Sequence, residues 1–182
     1  VRGVTSLTKK NKVDYVVGRG KLEGPQQVRV RTTDSEGKST GEVILKARDV
    51  ILATGSRVKS LPGLEPDGKH IVTSDDVLRT AHVPASIIVV GAGAVGTEFA
   101  SYYHDMGAEV TLLEYFPAVV PLDDPEVSKE MERAFKKRGI TVITNALYDP
   151  AAVKADDDGV SLMVGPEGSE QSEIRAEQLM VA

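Results

Sequence analysis

Positions 87–90 are apolar without a break, as in a parallel strand buried on both faces. Beyond a glycine-rich bend, Val95, Phe99, Tyr102, Tyr103 and Met106 recur at spacings of four, seven, eight and eleven. That period predicts an amphipathic helix, with Gly107 placed to stop it. A second strand is predicted over 109–113. After a loop at 115–122, Asp124 can cap a helix with Pro125 at its first position, a buried stripe of Val127, Met131, Ala134 and Phe135, and Gly139 at its end. Residues 140–144 follow as a third strand. Segment 86–144 thus reads β-α-β-α-β, half of a doubly wound sheet.

The flanks alternate instead with a period of two. Residues 1–12 read as a helix end plus a loop. Short strands are predicted over 13–17, running into Gly18-Arg19-Gly20, then 28–33 and 42–46, with a hairpin loop at 34–38. Residues 49–53, DVILA, are apolar enough for a buried fourth strand, which ends at Thr54-Gly55-Ser56. Pro62, Gly63, Pro66 and Gly68 mark 57–72 as an extended linker, and Thr73 or Ser74 can cap a short helix reaching Arg79. Past the central unit, a weak strand is predicted over 148–154, a turn at 156–159, strands over 160–164 and 173–176 around a loop at 165–171, and a buried strand from 178. LKARDVILA (45–53) and IRAEQLMVA (174–182) share one pattern: a polar strand, an acidic corner, then an apolar strand ending in Ala. The second copy stops where the first has Thr54-Gly55. This duplication predicts that the chain starts inside one nucleotide-binding domain and stops just short of completing another.

Composition narrows the classes. The 182 residues are 41% hydrophobic and 27% charged, with a net charge of -5, which is ordinary for a globular protein and argues against nucleic acid or an anionic membrane as the main partner. No apolar run reaches the length of a membrane span, and the N-terminus, which begins with Val1, lacks a signal-peptide core. A cytoplasmic location is expected. Without cysteine, disulfides and thiol catalysis are excluded within these residues. His70, His82 and His104 read as surface or satisfied histidines, 156–158 as a solvated turn, and Lys136-Lys137-Arg138 as the basic last turn of a helix.

The chemistry is carried by Gly91-Ala92-Gly93-Ala94-Val95-Gly96, a G-x-G-x-x-G between predicted strand and helix, with Glu114 eighteen residues beyond Gly96. Gly91 permits a tight turn, Gly93 leaves room for a pyrophosphate, and Gly96 lets the helix approach the sheet. The helix start offers free N–H groups, and Glu114 can accept from a ribose 2′-hydroxyl. A glycine turn used only for packing is the competing reading. A 2′-phosphate would meet the Glu114 carboxylate, with no Arg or Lys before Lys129 to offset it, so NAD is expected over NADP.

These residues, together with Gly18-Arg19-Gly20-Lys21, DVILATGS (49–56), LPGL (61–64), VGAGAVGTEFAS (90–101), LLEYF (112–116) and DPEVSKEMERAFKKRGI (124–140), resemble the two-dinucleotide flavoprotein disulfide reductases, the class I pyridine nucleotide-disulfide oxidoreductases. The whole chain is similar to their middle segment, and within them to the lipoamide branch. The resemblance implies an α/β fold: a Rossmann-like NAD-binding domain at 68–182, with a parallel sheet plus a three-stranded antiparallel meander, beside a partial FAD-binding segment of the same type at 1–67. It assigns Gly20 to the FAD adenine side and Thr54, Gly55 and Ser56 to the ATG motif beside the flavin dinucleotide, although a plain strand-ending turn fits the latter too. It assigns 91–96 with Thr97 to the NAD pyrophosphate, Glu114 to the adenosine ribose and Tyr148 to a backbone contact with adenine. Glu98 is placed near the nicotinamide and flavin rings, or is simply an acid favoured by the helix dipole. It further implies an oxidoreductase using FAD and NAD(H), a homodimer, a lipoyl-bearing acyltransferase complex as partner, and a redox cysteine pair and acid–base histidine outside these residues. An NADH oxidase, a mercuric-type reductase and a non-catalytic nucleotide-binding module remain alternatives.

Overall fold

The computed structural model describes residues 2–59, 61–166 and 168–182; Val1, Ser60 in the expected linker and Glu167 in the expected loop lie outside the described residues. Two compact units separate at Val1–Gly55 and Ser56–Ala182.

The first unit holds helix α1 (Arg2–Lys10) and an antiparallel sheet of β1 (Gly18–Gly24), β2 (Gln27–Thr33) and β3 (Ser39–Lys46) in the order β1-β2-β3. The first strand is not at 13–17. Gly24 pairs with Gln27 across Pro25-Gln26. That tight turn fixes the register, so β1 must run back from Gly24 and leaves 13–17 as coil. Residues 49–53 form no strand either, and Ile51 and Leu52 are exposed. A strand needs a ladder, and no described strand pairs with this segment.

The second unit is built on a five-stranded parallel sheet: β4 (Ile71–Thr73), β5 (Ser86–Val90), β6 (Glu109–Leu113), β7 (Thr141–Ile143) and β12 (Gln178–Val181), in the order β4-β12-β5-β6-β7. The continuous apolar runs are explained by burial on both faces. Ile87, Val89, Val110, Leu112 and Met180 face one core, with Ala100, Tyr103 and Phe135 from the helices. Ile88, Val90, Leu113, Leu179 and Val181 face a second core, with Val160, Leu162 and Val164. That second layer is an antiparallel group: β8 (Ala146–Leu147), β9 (Lys154–Asp156), β10 (Gly159–Pro166) and β11 (Ser172–Ala176). Residues 148–154 are not a strand: Asp149 caps a 3-10 turn, Pro150–Ala152, through the N–H of Ala151. Within 57–72, Leu61 and Leu64 bridge around Pro62-Gly63, Leu64 is fully buried, and the segment ends in β4.

Among the described residues the α-helices of this unit are α2 (Ser74–Val77), α3 (Ala94–Asp105) and α4 (Pro125–Arg138). Asp124 caps α4 by accepting from the N–H of Glu126, with Pro125 in the first turn as the sequence predicts. Both longer helices end on the same pair of reverse bonds, from Gly107 to His104 and Ala108 to Tyr103, and from Gly139 to Lys136 and Ile140 to Phe135. Their buried faces keep part of the expected apolar stripes, with Tyr103 and Phe135 buried and Phe99 and Met131 partly buried against the core, but also take in small and polar residues. In α3 the inward residues are Gly96, Thr97, Ala100 and Tyr103, whereas Val95, Tyr102 and Met106 are exposed. Small residues admit the helix close to the sheet, so large side chains are left at the flanks. In α4, Ser128 and Phe135 are buried while Val127 and Ala134 are exposed, because the Ser128 hydroxyl donates to the Val120 carbonyl.

Candidate functional site

The site is the bend between β5 and α3. Gly91 leaves the strand at φ +101°, donating its N–H to the Leu113 carbonyl at 2.9 Å; a side chain there would meet the Ala182 carbonyl at 2.7 Å. Gly96 lies over the same turn, where a Cβ would sit 1.8 Å from the Gly91 carbonyl oxygen. Both glycines are therefore required by the fold. Gly93 is different: it is exposed, and a Cβ there would meet nothing within 4 Å. It is also the N-cap of α3 and supplies no side-chain cap. The first-turn N–H groups of an α-helix have no intrahelical acceptor, and these open beside a backbone free of side chains. Thr97 does not add to that opening, since its hydroxyl turns back on the helix and donates to the carbonyls of Gly93 and Ala94. Ala92 is buried, Ala94 and Val95 are exposed, and Glu98 is exposed one turn further along α3.

Glu114 stands at the end of β6 and is 6% exposed. Its Oε2 accepts the Ala92 N–H at 2.7 Å and its Oε1 accepts the Phe116 N–H at 2.9 Å. The carboxylate thus ties the glycine bend to the neighbouring strand, and each oxygen keeps a further acceptor position. Tyr148 lies close to it: burial first, then the Glu114 charge, push the phenol above its ordinary value of 10. The bend is also held by the N–H groups of Ala182 and Val120, which donate to the carbonyls of Val90 and Ala92.

Ser56 joins this region, lining a cleft of about 280 Å³ with Arg57, Lys59, Val95 and Ala182. Arg57, Lys59 and Ala182 were not legible as site residues; the only signal is a pair of cations in a linker. Gly20, Thr54 and Gly55 belong to the first unit and are exposed. Of the histidines, His82 pairs with Glu177 at 2.6 Å, and the carboxylate also accepts the Ala85 N–H, which with His82 holds it below its ordinary range. His70 departs from expectation, because its Nε2 is buried without a hydrogen-bond partner among the described residues. Among the described residues no cluster could hold a metal ion, and no helix is long and apolar enough to cross a membrane.

A strand, an open glycine bend, an uncapped helix start and a carboxylate at the next strand's tip give the second unit a Rossmann-like α/β architecture. The chain matches the family model described as pyridine nucleotide-disulphide oxidoreductase over residues 1–182, and it belongs to that family. It is 41% identical over 180 residues to a dihydrolipoyl dehydrogenase of Zymomonas mobilis, covering 99% of this chain and 37% of that protein. To a dihydrolipoyl dehydrogenase of Bacillus subtilis it is 42% identical over 183 residues, covering 99% and 38%. Among solved structures it is similar to LpdA of Mycobacterium tuberculosis, with a TM-score of 0.77 and 25% identity over all of this chain and 38% of that one. The chain therefore spans less than two-fifths of the length of these relatives.

Proposed function

We propose that this chain is the NAD(H)-binding part, with flanking FAD-domain segments, of a dihydrolipoamide dehydrogenase-like flavoenzyme. The observation that carries the reading is Gly93: the protein's own packing does not require a glycine there, whereas a pyrophosphate approaching the start of α3 does. In this reading the N–H groups of Gly93 to Val95 hold the phosphates, and Glu114, already anchored to the loop, receives the adenosine ribose beside Tyr148. Glu98 faces the nicotinamide side, and Gly20 with Thr54, Gly55 and Ser56 lies along FAD. When bound, the nicotinamide supplies a hydride acceptor; these residues position it. The division at 67/68, the homodimer, the lipoyl acyltransferase partner and the flow of electrons from dithiol through FAD to NAD belong to the same proposal for the full-length enzyme. Family membership and the dihydrolipoyl dehydrogenase relatives support it.

The test is a calorimetric titration of the 182-residue chain with NADH and NADPH. NADH is expected to bind at least about tenfold more tightly, a difference of ~1.4 kcal/mol. Glu114→Gln, which keeps an acceptor oxygen but removes the charge, is expected to collapse that preference. An unchanged ratio removes Glu114 from its role, and dihydrolipoamide turnover by this chain alone would place the chemistry within it.

A further inference from the structure

One face of the β1-β2-β3 sheet is unlike the acidic remainder of the chain. Arg19 stands directly opposite Arg31, and Lys21 directly opposite Arg29, in the antiparallel register. Such pairs hold their Cβ atoms about 4.5–5.5 Å apart, and like charges so placed destabilise a sheet. Two acids share this face: Arg29 donates to Glu23 at 2.6 Å and to Glu42, Glu42 also stands directly opposite Arg31, and the Glu23 charge reaches Lys21, so four cations are set against two carboxylates. Among the described residues Arg19, Lys21 and Arg31 make no ion pair within 4.0 Å. All six side chains line a cleft of about 570 Å³, a size suited to a small ligand rather than a macromolecular surface.

We propose that this cleft is a binding site for a small, multiply charged phosphate compound. Its phosphates would be gripped by the Arg19 and Arg31 guanidinium forks and the Lys21 ammonium. Guanidinium groups match phosphate oxygens two at a time, and Arg29, fixed by its two carboxylates, holds the lattice of side chains in place. The excess of cations over carboxylates on this face becomes favourable once an anion sits among Arg19, Lys21 and Arg31. The cleft, whose lining includes Gly20, belongs to the first unit, and the proposal rests on the three cations and not on the reading of the glycine bend.

The experiment is calorimetry of the whole 182-residue chain with inorganic tripolyphosphate at low salt, with NADH in excess. Saturable binding is expected, weakening at least tenfold in Arg19→Gln/Arg31→Gln and unchanged in Gly93→Val. Melting provides a second reading. Without the anion the single variant Arg19→Gln, which leaves Arg31 opposite Glu42, is expected to melt at or above the wild-type temperature, since one like-charge pair is relieved. Tripolyphosphate is expected to raise the melting temperature of the wild type alone. The proposal is overturned by the absence of saturable binding, by equal affinity in the double variant, by a lower melting temperature of Arg19→Gln without anion, or by preference for an oligoglutamate peptide over tripolyphosphate.

Discussion

A methyl group on Gly96 would lie 1.8 Å from a backbone oxygen that cannot move without breaking the bend, whereas one on Gly93 would lie in open space. The two alanine variants should therefore separate stability from binding. Gly96→Ala is expected to cost at least about 2 kcal/mol in urea unfolding, the scale of a forced overpacking. Gly93→Ala is expected to cost no more than about 1 kcal/mol, as an N-cap change does, while NADH affinity falls at least about tenfold. If Gly93→Ala binds NADH as the wild type does, the open backbone is not a phosphate seat. Tyr103 presents the opposite case, a polar atom the fold does not use. It is 1% exposed, burial pushes its phenol up to about 12, and its hydroxyl has no partner among the described residues. Tyr103→Phe is expected to leave stability unchanged or raise it by about 1 kcal/mol, because a buried unpaired hydroxyl is a liability. A clear loss in urea unfolding would reveal a hidden partner.

At the scale of elements, local sequence was legible where the chain itself satisfies the pattern. Residues 109–113 and the Asp124-Pro125 helix start lie where the periodicity and capping residues put them. The duplicated segments show the limit of that reasoning. Residues 49–53 and 178–182 share a pattern, yet only the second contains a strand, because β12 has β4 on one side and β5 on the other. Propensity cannot say whether a ladder partner is present. Helix α2 carries a testable signal of its own. Asp76 accepts from the Thr73 hydroxyl at 2.7 Å and the Thr73 N–H at 2.9 Å, which hold its carboxyl below the ordinary 3.8. A depressed folded-state value means that the stabilisation is present above the unfolded value and is lost as pH falls through the folded one. Asp76→Ala is expected to cost about 1 kcal/mol at pH 7 and progressively less as acid protonates the wild-type carboxyl. The same penalty at pH 7 and at the acid limit of folding would show that charge plays no part in the cap.

For the whole molecule, the two units differ sharply in what holds them. Both hydrophobic cores lie within 64–181, while Val30 is the one buried hydrophobic residue described in the first unit. Leu22, Ile44 and Leu45 of its sheet are at least two-fifths exposed. A fully buried Val or Leu contributes about 1.5–3 kcal/mol, and three strands with so little burial stand near the margin of independent stability. Local opening should follow that imbalance. In native-state hydrogen exchange of the 182-residue chain, amides of β5, β6 and β12 are expected to exchange only through global unfolding. Amides of β2, although bonded on both sides by β1 and β3, are expected to exchange through a lower-energy opening several kcal/mol below it. A piece comprising 56–182 should then melt cooperatively within a few degrees of the full chain, since removing the first unit leaves both cores intact. Equal protection of β2 and β5, or loss of cooperative melting in 56–182, would mean that the sheet of the first unit supports the rest. The glycine bend and its carboxylate would then depend on residues far from them in sequence.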